Sequence, residues 1–214
     1  MPISVTTFVD AHAIVRLQDQ RTLEWHAIPP PIPSHTGRNI RETAESLQGL
    51  VEAQHATNYT LWHAEDEARR PGTQHADLAR IKQQIDRVNQ HRNDITEQID
   101  ALLLLHLGYP SGGEQHSETP GMIMDRLSIL SLRLFHTREE MERAGAPPGH
   151  RERNRSRLGT IEEQRGDLTV CLERLWRQIC AGQRHFKQYR QLKMYNDPDL
   201  NPAIYQSDKR SEPA

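Results

Sequence analysis

Apolar residues recur along most of this chain at steps of three and four, which is the period of an amphipathic α-helix. Alternation with a period of two, which is typical of strands, does not persist over any useful length. The pattern therefore predicts an all-α fold without a sheet. The two clearest apolar stripes are Leu78, Ile81, Ile85, Val88, Ile95, Ile99 and Leu102, and Ile161, Leu168, Leu172, Leu175 and Ile179.

Proline and glycine divide this helical pattern into five stretches. The pattern predicts helices at 3–18, 38–70, 74–107, 122–144 and 156–195. Short connectors favour an antiparallel bundle of about five long helices. The proline-rich HAIPPPIPSHTG is expected to be an irregular N-terminal connector, SGGEQHSETPG a flexible connector and the C-terminal end a turn-rich tail. The predicted units are residues 1–36 for the first helix and its connector, 37–195 for the bundle and 196–214 for the tail.

Charge and composition narrow the classes of partner. The 27 Lys and Arg residues nearly balance the 29 Asp and Glu residues, so net charge gives no reason to expect nucleic acid or a membrane surface. Cys171 and Cys180 lie nine residues apart in a predicted helix, and we expect buried free thiols. The N-terminus lacks the features of a signal peptide, and the apolar run ALLLLHL is too short to span a bilayer. A soluble, cytoplasmic protein is expected.

The second predicted helix carries polar residues along its own core-facing seam. Its apolar stripe passes Leu47 and Val51 and continues at helical spacing to Asn58, Trp62 and Glu65, and then to Arg69. A buried carboxylate must be paired, bind a metal or take up a proton. The alternative is an ordinary salt bridge between Glu65 and Arg69, which are spaced i, i+4.

The third and fourth predicted helices continue this polar pattern. A hairpin turning at Pro71 is expected to let the Asp86 to Asp94 portion of the third helix face residues 58–69. Residues 78–86 are expected level with residues 58–65, with Asn89 and Arg92 a little beyond. On the fourth helix Asp125 lies three turns before His136, and each has a plain surface or capping explanation when taken alone. Taken together, the three helices predict a polar pocket inside the bundle.

The chain contains none of the common phosphate-loop, dinucleotide, zincin or hydrolase motifs. Its single Glu-x-x-His pair, Glu52 with His55, does not make the two that a di-iron bundle needs. The carboxylates suit Mg²⁺ or Mn²⁺, and the arginines suit phosphate or carboxylate groups. The candidate catalytic residues are Glu65, Asp94 and Asp125. The candidate ligand-binding residues are Asn58, Trp62, His63, Asp66, Arg69, Asn89, Arg92, Asn93, Arg126, Tyr195, Asn196 and Asp197.

A basic and aromatic block, RHFKQYRQLKMY, covers residues 184–195. Such a helix can bind nucleic acid, since aromatic rings stack on bases and cations contact phosphates. The near-neutral total charge favours instead a closing helix whose rings dock on the bundle while its cations stay in water. No nucleic-acid partner is therefore expected.

Four blocks of this sequence together resemble a known family. NYTLWHAEDEAR, IDRVNQHRNDITEQID, GMIMDRLSILSLRLFH and KQYRQLKMYNDPDLNPAIY are similar to the bacterial all-α family catalogued as domain of unknown function 4254, over about Asn39 to Tyr205. The resemblance implies genes near glycosyltransferases or other biosynthetic genes, and no established reaction.

Three functions are compatible with these observations. The first is a protein that binds or processes a small polar metabolite, phosphorylated or sugar-linked, in bacterial glycan or specialised-metabolite biosynthesis. If the protein is an enzyme, Glu65 or Asp94 is the expected base or metal ligand and Asp125 a second carboxylate. The alternatives are a non-catalytic helical module for a partner enzyme and, less well matched by the spacing of the acids, a metal-dependent nucleotide pyrophosphohydrolase.

Overall fold

The protein is an all-α bundle, as the periodicity predicts. The computed structural model describes residues 8–30, 46–109, 112–190, 199–200 and 202. The proline-rich connector from residue 31 and most of the C-terminal tail lie outside these residues. The described helices are α1 (Ala11–Ala27), α2 (Leu47–Ala68), α3 (His75–Leu107), α4 (Pro120–Glu142) and α5 (His150–Cys180), and the strands are β1 (Glu114–Gln115) and β2 (Arg184–His185).

The first two helices begin later than predicted, because a side chain caps each of them. An Asp10 oxygen accepts from the Ala13 amide at 2.8 Å and starts α1. Extended Ser46 caps α2 in the same way, so an unbroken helix over 38–70 is wrong. The predicted end of the first helix at residue 18 is also wrong. Helix α1 continues to Ala27 with Gln18 and Thr22 on its buried side, and polar residues leave no apolar period to detect.

The fifth helix is misplaced at both ends by the sequence prediction. It starts at His150 and ends at Cys180, where Gly182 adopts a left-handed φ of 68°. The chain then forms β2, so a closing helix reaching residue 195 is wrong. The docking expected of its aromatic residues occurs at Phe186, which is buried in the core. Of the two thiols, Cys180 is half-buried but Cys171 is exposed, contrary to expectation.

Two short parallel strands tie the connector before α4 to the segment after α5. Glu114 pairs with Arg184, and the Glu114 amide donates to the Gln183 carbonyl at 2.9 Å. The prediction of no sheet is therefore wrong here, and the connector is pinned at these residues. Gly113 permits the approach, because a Cβ at that position would lie 2.3 Å from the Gln183 carbonyl.

The helical hairpin of α2 and α3 is offset from its predicted register. Gln54 Nε2 donates to Thr96 Oγ1 at 2.8 Å. These two residues are equally distant from position 75, so the hairpin is centred there and not at Pro71. Every residue from Gln74 to Arg80 is exposed, so the start of α3 projects beyond the end of α2. An extended residue at Gln74 contributes to this displacement. Arg92, and not residues 78–86, consequently lies opposite Asn58.

The hydrophobic core has a main part and a satellite. The main part joins all five helices around buried side chains such as Leu103, Leu127 and Trp176. The satellite fills the α2/α3 hairpin with Leu61, Ala64, Ile81, Ile85 and Val88. The predicted stripe of α3 is buried from Ile81 to Ile99, whereas Leu78 lies on the exposed projection.

Helices α3 and α4 approach each other closely at Gly121. The Gly121 amide donates to Asp100 Oδ1 at 2.9 Å. A Cβ on Gly121 would lie 2.8 Å from that oxygen and 2.9 Å from the Thr96 carbonyl. Desolvation is the largest influence on the buried Asp100 carboxyl and raises its pKa to about 6, although hydrogen bonds from Thr119 and Gly121 oppose the rise.

We predict that Asp100→Asn changes how stability depends on pH. The folded-state pKa of about 6 exceeds the ordinary value of 3.8, so the folded protein holds the proton more tightly. The tighter binding of this proton stabilises the folded protein by about 3 kcal/mol below pH 4, and this stabilisation is lost as the pH rises through 6. Asparagine keeps an oxygen for Gly121 and removes the titration. In urea unfolding between pH 4 and 8, the free energy of unfolding of the variant should increase relative to that of the wild type as the pH rises. Parallel curves of this free energy against pH would contradict the assignment of the titration to Asp100.

Candidate functional site

A pocket of about 410 Å³ opens between α2, α3 and α4. Seven of the candidate site residues predicted from the sequence line this pocket, and they come from α2 with its C-cap and from α3. The pocket is lined by Asn58, Leu61, Trp62, Glu65, Asp66, Arg69, Asn89, Arg92, Ile129, Leu132 and Arg133.

The outer part of the pocket holds the salt bridge that the sequence offered as an alternative. Arg69 Nη2 lies 2.9 Å from Glu65 Oε2, and its Nη1 donates to the Glu65 carbonyl at 2.8 Å. Both side chains are largely exposed, so this pair contributes little to stability. Its chemical relevance is that Arg69 already has an anionic partner.

The inner part of the pocket is organised around Asp125. Asn58 Nδ2 donates to Asp125 Oδ1 at 2.8 Å, and Arg92 Nε lies 3.9 Å from Asp125 Oδ2. Burial raises the pKa of this carboxyl, and the Arg92 charge and the Asn58 bond act in the opposite direction. Asp125 does not line the pocket itself. It acts on the pocket through Asn58 and Arg92, both of which do, and is therefore a positioning residue.

Asn58 also starts a buried chain of hydrogen bonds that reaches α1. Its Nδ2 donates to Ser128 Oγ at 3.0 Å, and Ser128 contacts His55 Nδ1 at 2.7 Å. His55 Nε2 contacts Thr22 Oγ1 at 2.9 Å, and that hydroxyl donates to the Gln18 carbonyl.

The direction of this chain fixes the tautomer of His55. Because Thr22 uses its proton on a carbonyl, it must accept from His55, whose proton is therefore on Nε2. His55 Nδ1 then accepts from Ser128, which in turn accepts from Asn58. Complete burial favours the same neutral ring and lowers the pKa of His55 to about 3.

Several predicted site residues lie away from the pocket. Asp94 accepts from Gln90 at 2.8 Å, and neither it nor the half-buried Asn93 is among the lining residues. Arg126 pairs with Glu118 at 2.6 Å and borders a different cavity between α4 and α5. Three further predicted residues, Tyr195, Asn196 and Asp197, fall outside the described part of the chain.

His63 joins a second group of polar side chains next to the pocket. One ring nitrogen from each of His26, His63 and His136 lies within 4.8 Å of the others. The three histidines come from α1, α2 and α4, and each is half-buried. Trp62, which lines the pocket, stacks on His136 with ring centroids 4.7 Å apart and an interplanar angle of 5°.

This histidine triad is the only grouping of three or more potential metal ligands within the described residues. The carboxylates that the sequence nominated for Mg²⁺ or Mn²⁺ do not converge there. Glu65 and Asp66 lie at the pocket, Asp125 lies beneath it, and Asp94 lies elsewhere on α3.

The sequence interpretation missed functional candidates that depend on tertiary contacts. His26 was assigned to an irregular connector, and His55 was considered only as an isolated metal-ligand pair. Ser128 and Arg133 gave a signal that could have been read, because both lie at helical spacing from Asp125 on one face of α4. Arg133 has no carboxylate within 4.0 Å among the described residues.

The fold defines a class, all-α helical bundles, and in this chain an open pocket lies between three of the helices. The chain belongs to the family described as Protein of unknown function (DUF4254), whose model matches residues 48–188. That range is contained in the 39–205 covered by the sequence resemblance. No curated protein and no solved structure matches the chain. None of the described helices has the length and hydrophobicity required to cross a bilayer.

We predict that Ser128→Ala destabilises the protein by about 1–3 kcal/mol, because it leaves His55 Nδ1 buried without a donor. Ser131 is a matched control, since it is equally buried one turn further along α4. Its contact with Arg165 is long, at 3.5 Å. Urea unfolding should therefore show a loss below about 1 kcal/mol for Ser131→Ala. Equal losses in the two variants would show that the chain of hydrogen bonds from Asn58 to Thr22 contributes nothing specific to stability.

Proposed function

We propose that this protein binds a small polar metabolite carrying a phosphate or carboxylate group in the pocket between α2, α3 and α4. The observation that carries the proposal is the convergence of amides, arginines and an indole ring on one cavity of about 410 Å³. This volume falls within the range of ordinary small-molecule sites.

Two arginines supply the recognition of an anionic group. Arg92 is half-buried, and Asp125 holds it only loosely at 3.9 Å, which leaves donors of its guanidinium free to bind a ligand. Arg133, at the opposite wall, has no ionic partner among the described residues. A planar guanidinium can donate two parallel hydrogen bonds to a phosphate or carboxylate, so this pair favours such a group.

The remaining walls suit a sugar or another ring with hydroxyl groups. Trp62 offers an aromatic surface whose orientation is fixed by stacking on His136. Asn58 and Asn89 add amide groups that can bond to hydroxyls. A sugar phosphate or nucleotide sugar combines both features and is the ligand class we propose.

The family resemblance supports a biological setting for this binding. It implies bacterial proteins encoded near glycosyltransferases or other biosynthetic genes. Nucleotide sugars and sugar phosphates are the activated substrates of such reactions. We therefore place the proposed function in bacterial glycan or specialised-metabolite biosynthesis, in the cytoplasm.

We predict that a nucleotide sugar or sugar phosphate raises the melting temperature of the wild type. A ligand at a hundredfold excess over its Kd adds about 2.7 kcal/mol, which is roughly 5–10 °C for a protein of this size. Arg92→Gln and Arg133→Gln should each reduce affinity about tenfold or more, because each removes a charged hydrogen-bond donor. Thermal shift with a ligand panel followed by calorimetry would measure both effects.

Arg126→Gln is the matched control for these two substitutions. Like Arg133, Arg126 is an exposed arginine of α4, and both border the cavity between α4 and α5, but Arg126 does not line the pocket between α2, α3 and α4. It should therefore retain the affinity of the wild type. Retained affinity in Arg92→Gln and Arg133→Gln, or an equal loss in Arg126→Gln, would refute the placement of the ligand.

We further predict that Glu65→Gln separates ligand binding from stability. The pair with Arg69 is exposed, so its loss should change the free energy of unfolding by less than about 0.5 kcal/mol. The freed Arg69 should bind an anionic ligand more strongly, whereas a ligand that needs the Glu65 carboxylate should bind more weakly. Calorimetry at equal temperature and pH distinguishes these outcomes, and a large loss of stability would contradict the exposed placement.

A further inference from the structure

Three imidazole rings meet beside the pocket, and the proposed function uses none of their ring nitrogens. They belong to His26 at the end of α1, His63 in α2 and His136 in α4. We propose that this histidine triad binds a transition-metal dication of the Zn²⁺ type through three ring nitrogens. The inference is independent of the metabolite, because it rests on a different set of atoms.

The nitrogens that would bind the metal are the Nε2 atoms. All three are buried and have no hydrogen-bond partner among the described residues. A buried nitrogen without a partner costs free energy, so three of them together require an explanation. A shared cation would accept all three lone pairs at once.

In two of the three rings, the other nitrogen is held as metal-binding histidines usually hold it. His26 Nδ1 donates to the Thr22 carbonyl at 2.6 Å, and His136 Nδ1 lies 2.8 Å from Glu139 Oε2. These acceptors keep the protons on Nδ1 and leave the Nε2 lone pairs available. A carbonyl and a carboxylate behind the ligands also orient the rings and increase their basicity.

The separation of the nitrogens fits a site that closes on its ion. Tetrahedral Zn²⁺ with Zn–N bonds of 2.0–2.1 Å holds its nitrogens roughly 3.3 Å apart. One ring nitrogen from each histidine already lies within 4.8 Å of the others, so small side-chain rotations would bring the three nitrogens to the distances that the ion requires. Three protein ligands leave a fourth position for water or another small ligand.

The surroundings disfavour the alternative of protonated rings. Desolvation is the largest influence on His63 and His136 and lowers the pKa of both. His26 contributes in the same direction to each, whereas Glu139 and Asp66 act in the opposite direction. Neutral imidazoles are the form that binds metal. The rings of Tyr59 and Phe135 pack against the triad and form an apolar shell. Nitrogen ligands select Zn²⁺, Co²⁺ or Ni²⁺ over Mg²⁺.

The test is metal binding by the full chain, purified without a histidine tag and stripped with a chelator. We expect one equivalent of Zn²⁺ per chain, measured by elemental analysis after dialysis, and a rise in melting temperature on adding Zn²⁺. His63→Gln and His136→Gln should weaken binding by more than about 100-fold, and Glu139→Gln by about 10- to 100-fold.

His106→Gln is the matched control. His106 also has a buried Nε2 without a hydrogen-bond partner, but it stacks on Phe8 and lies outside the triad. Its loss should leave Zn²⁺ affinity unchanged. The proposal would be overturned if the wild type bound no Zn²⁺. It would also be overturned if His63→Gln and His136→Gln bound Zn²⁺ with the same affinity as His106→Gln.

X-ray absorption on the Zn²⁺-loaded wild type tests the ligands without any substitution. We expect scattering from imidazole nitrogens at about 2.0–2.1 Å. A shell containing sulfur at about 2.3 Å would assign the ion to a cysteine and refute the triad. The metabolite experiments are unaffected by either result, since they measure ligand binding in the absence of added metal.

Discussion

A buried hydrogen bond cannot be lost without cost, and the chain from Asp125 through Asn58, Ser128 and His55 to Thr22 contains several in sequence. It joins α1, α2 and α4, three helices whose apolar contacts alone would tolerate some sliding. A rotation or shift of any one helix would leave donors or acceptors of the others unpaired. The network therefore sets the relative positions of these helices, and the pocket and the triad are built on positions that it fixes.

The two candidate sites are neighbours with opposite chemistry. The pocket presents guanidinium and amide donors to a ligand, whereas the triad presents lone pairs and no donors to its centre. Trp62 forms the partition, since it lines the pocket and stacks on His136. Asp66 also belongs to both, because it lines the pocket and its charge acts on His63 and His136. A substitution at Trp62 or Asp66 therefore alters the surroundings of both the pocket and the histidine triad.

The sequence predicted those parts of the fold that a helical period encodes. The stripe from Ile81 to Ile99 identified the buried face of α3, and the polar continuation of the stripe of α2 led to Asn58 and Trp62 at the pocket. The second half of α1 was missed, because its buried face is polar. Without it His26 could not be assigned to a helix, and the triad could not be found.

Hairpin register was the other part that periodicity could not provide. Periodicity says which residues share a face but not how far one helix slides along another. That offset depends on the backbone of residues 69–74 and on the bond between Gln54 and Thr96, which no local pattern reports.

The close contact at Gly121 limits how this protein can diverge. A Cβ there would meet an Asp100 oxygen and the Thr96 carbonyl, so a larger side chain must push α3 away from α4. Both helices contribute residues to the lining of the pocket. Among relatives that retain Asp100, a lineage that replaces this glycine is therefore expected to have a wider gap between α3 and α4. A single small residue that is not among the lining residues of the pocket thus links the spacing of two helices to the width of the cavity between them.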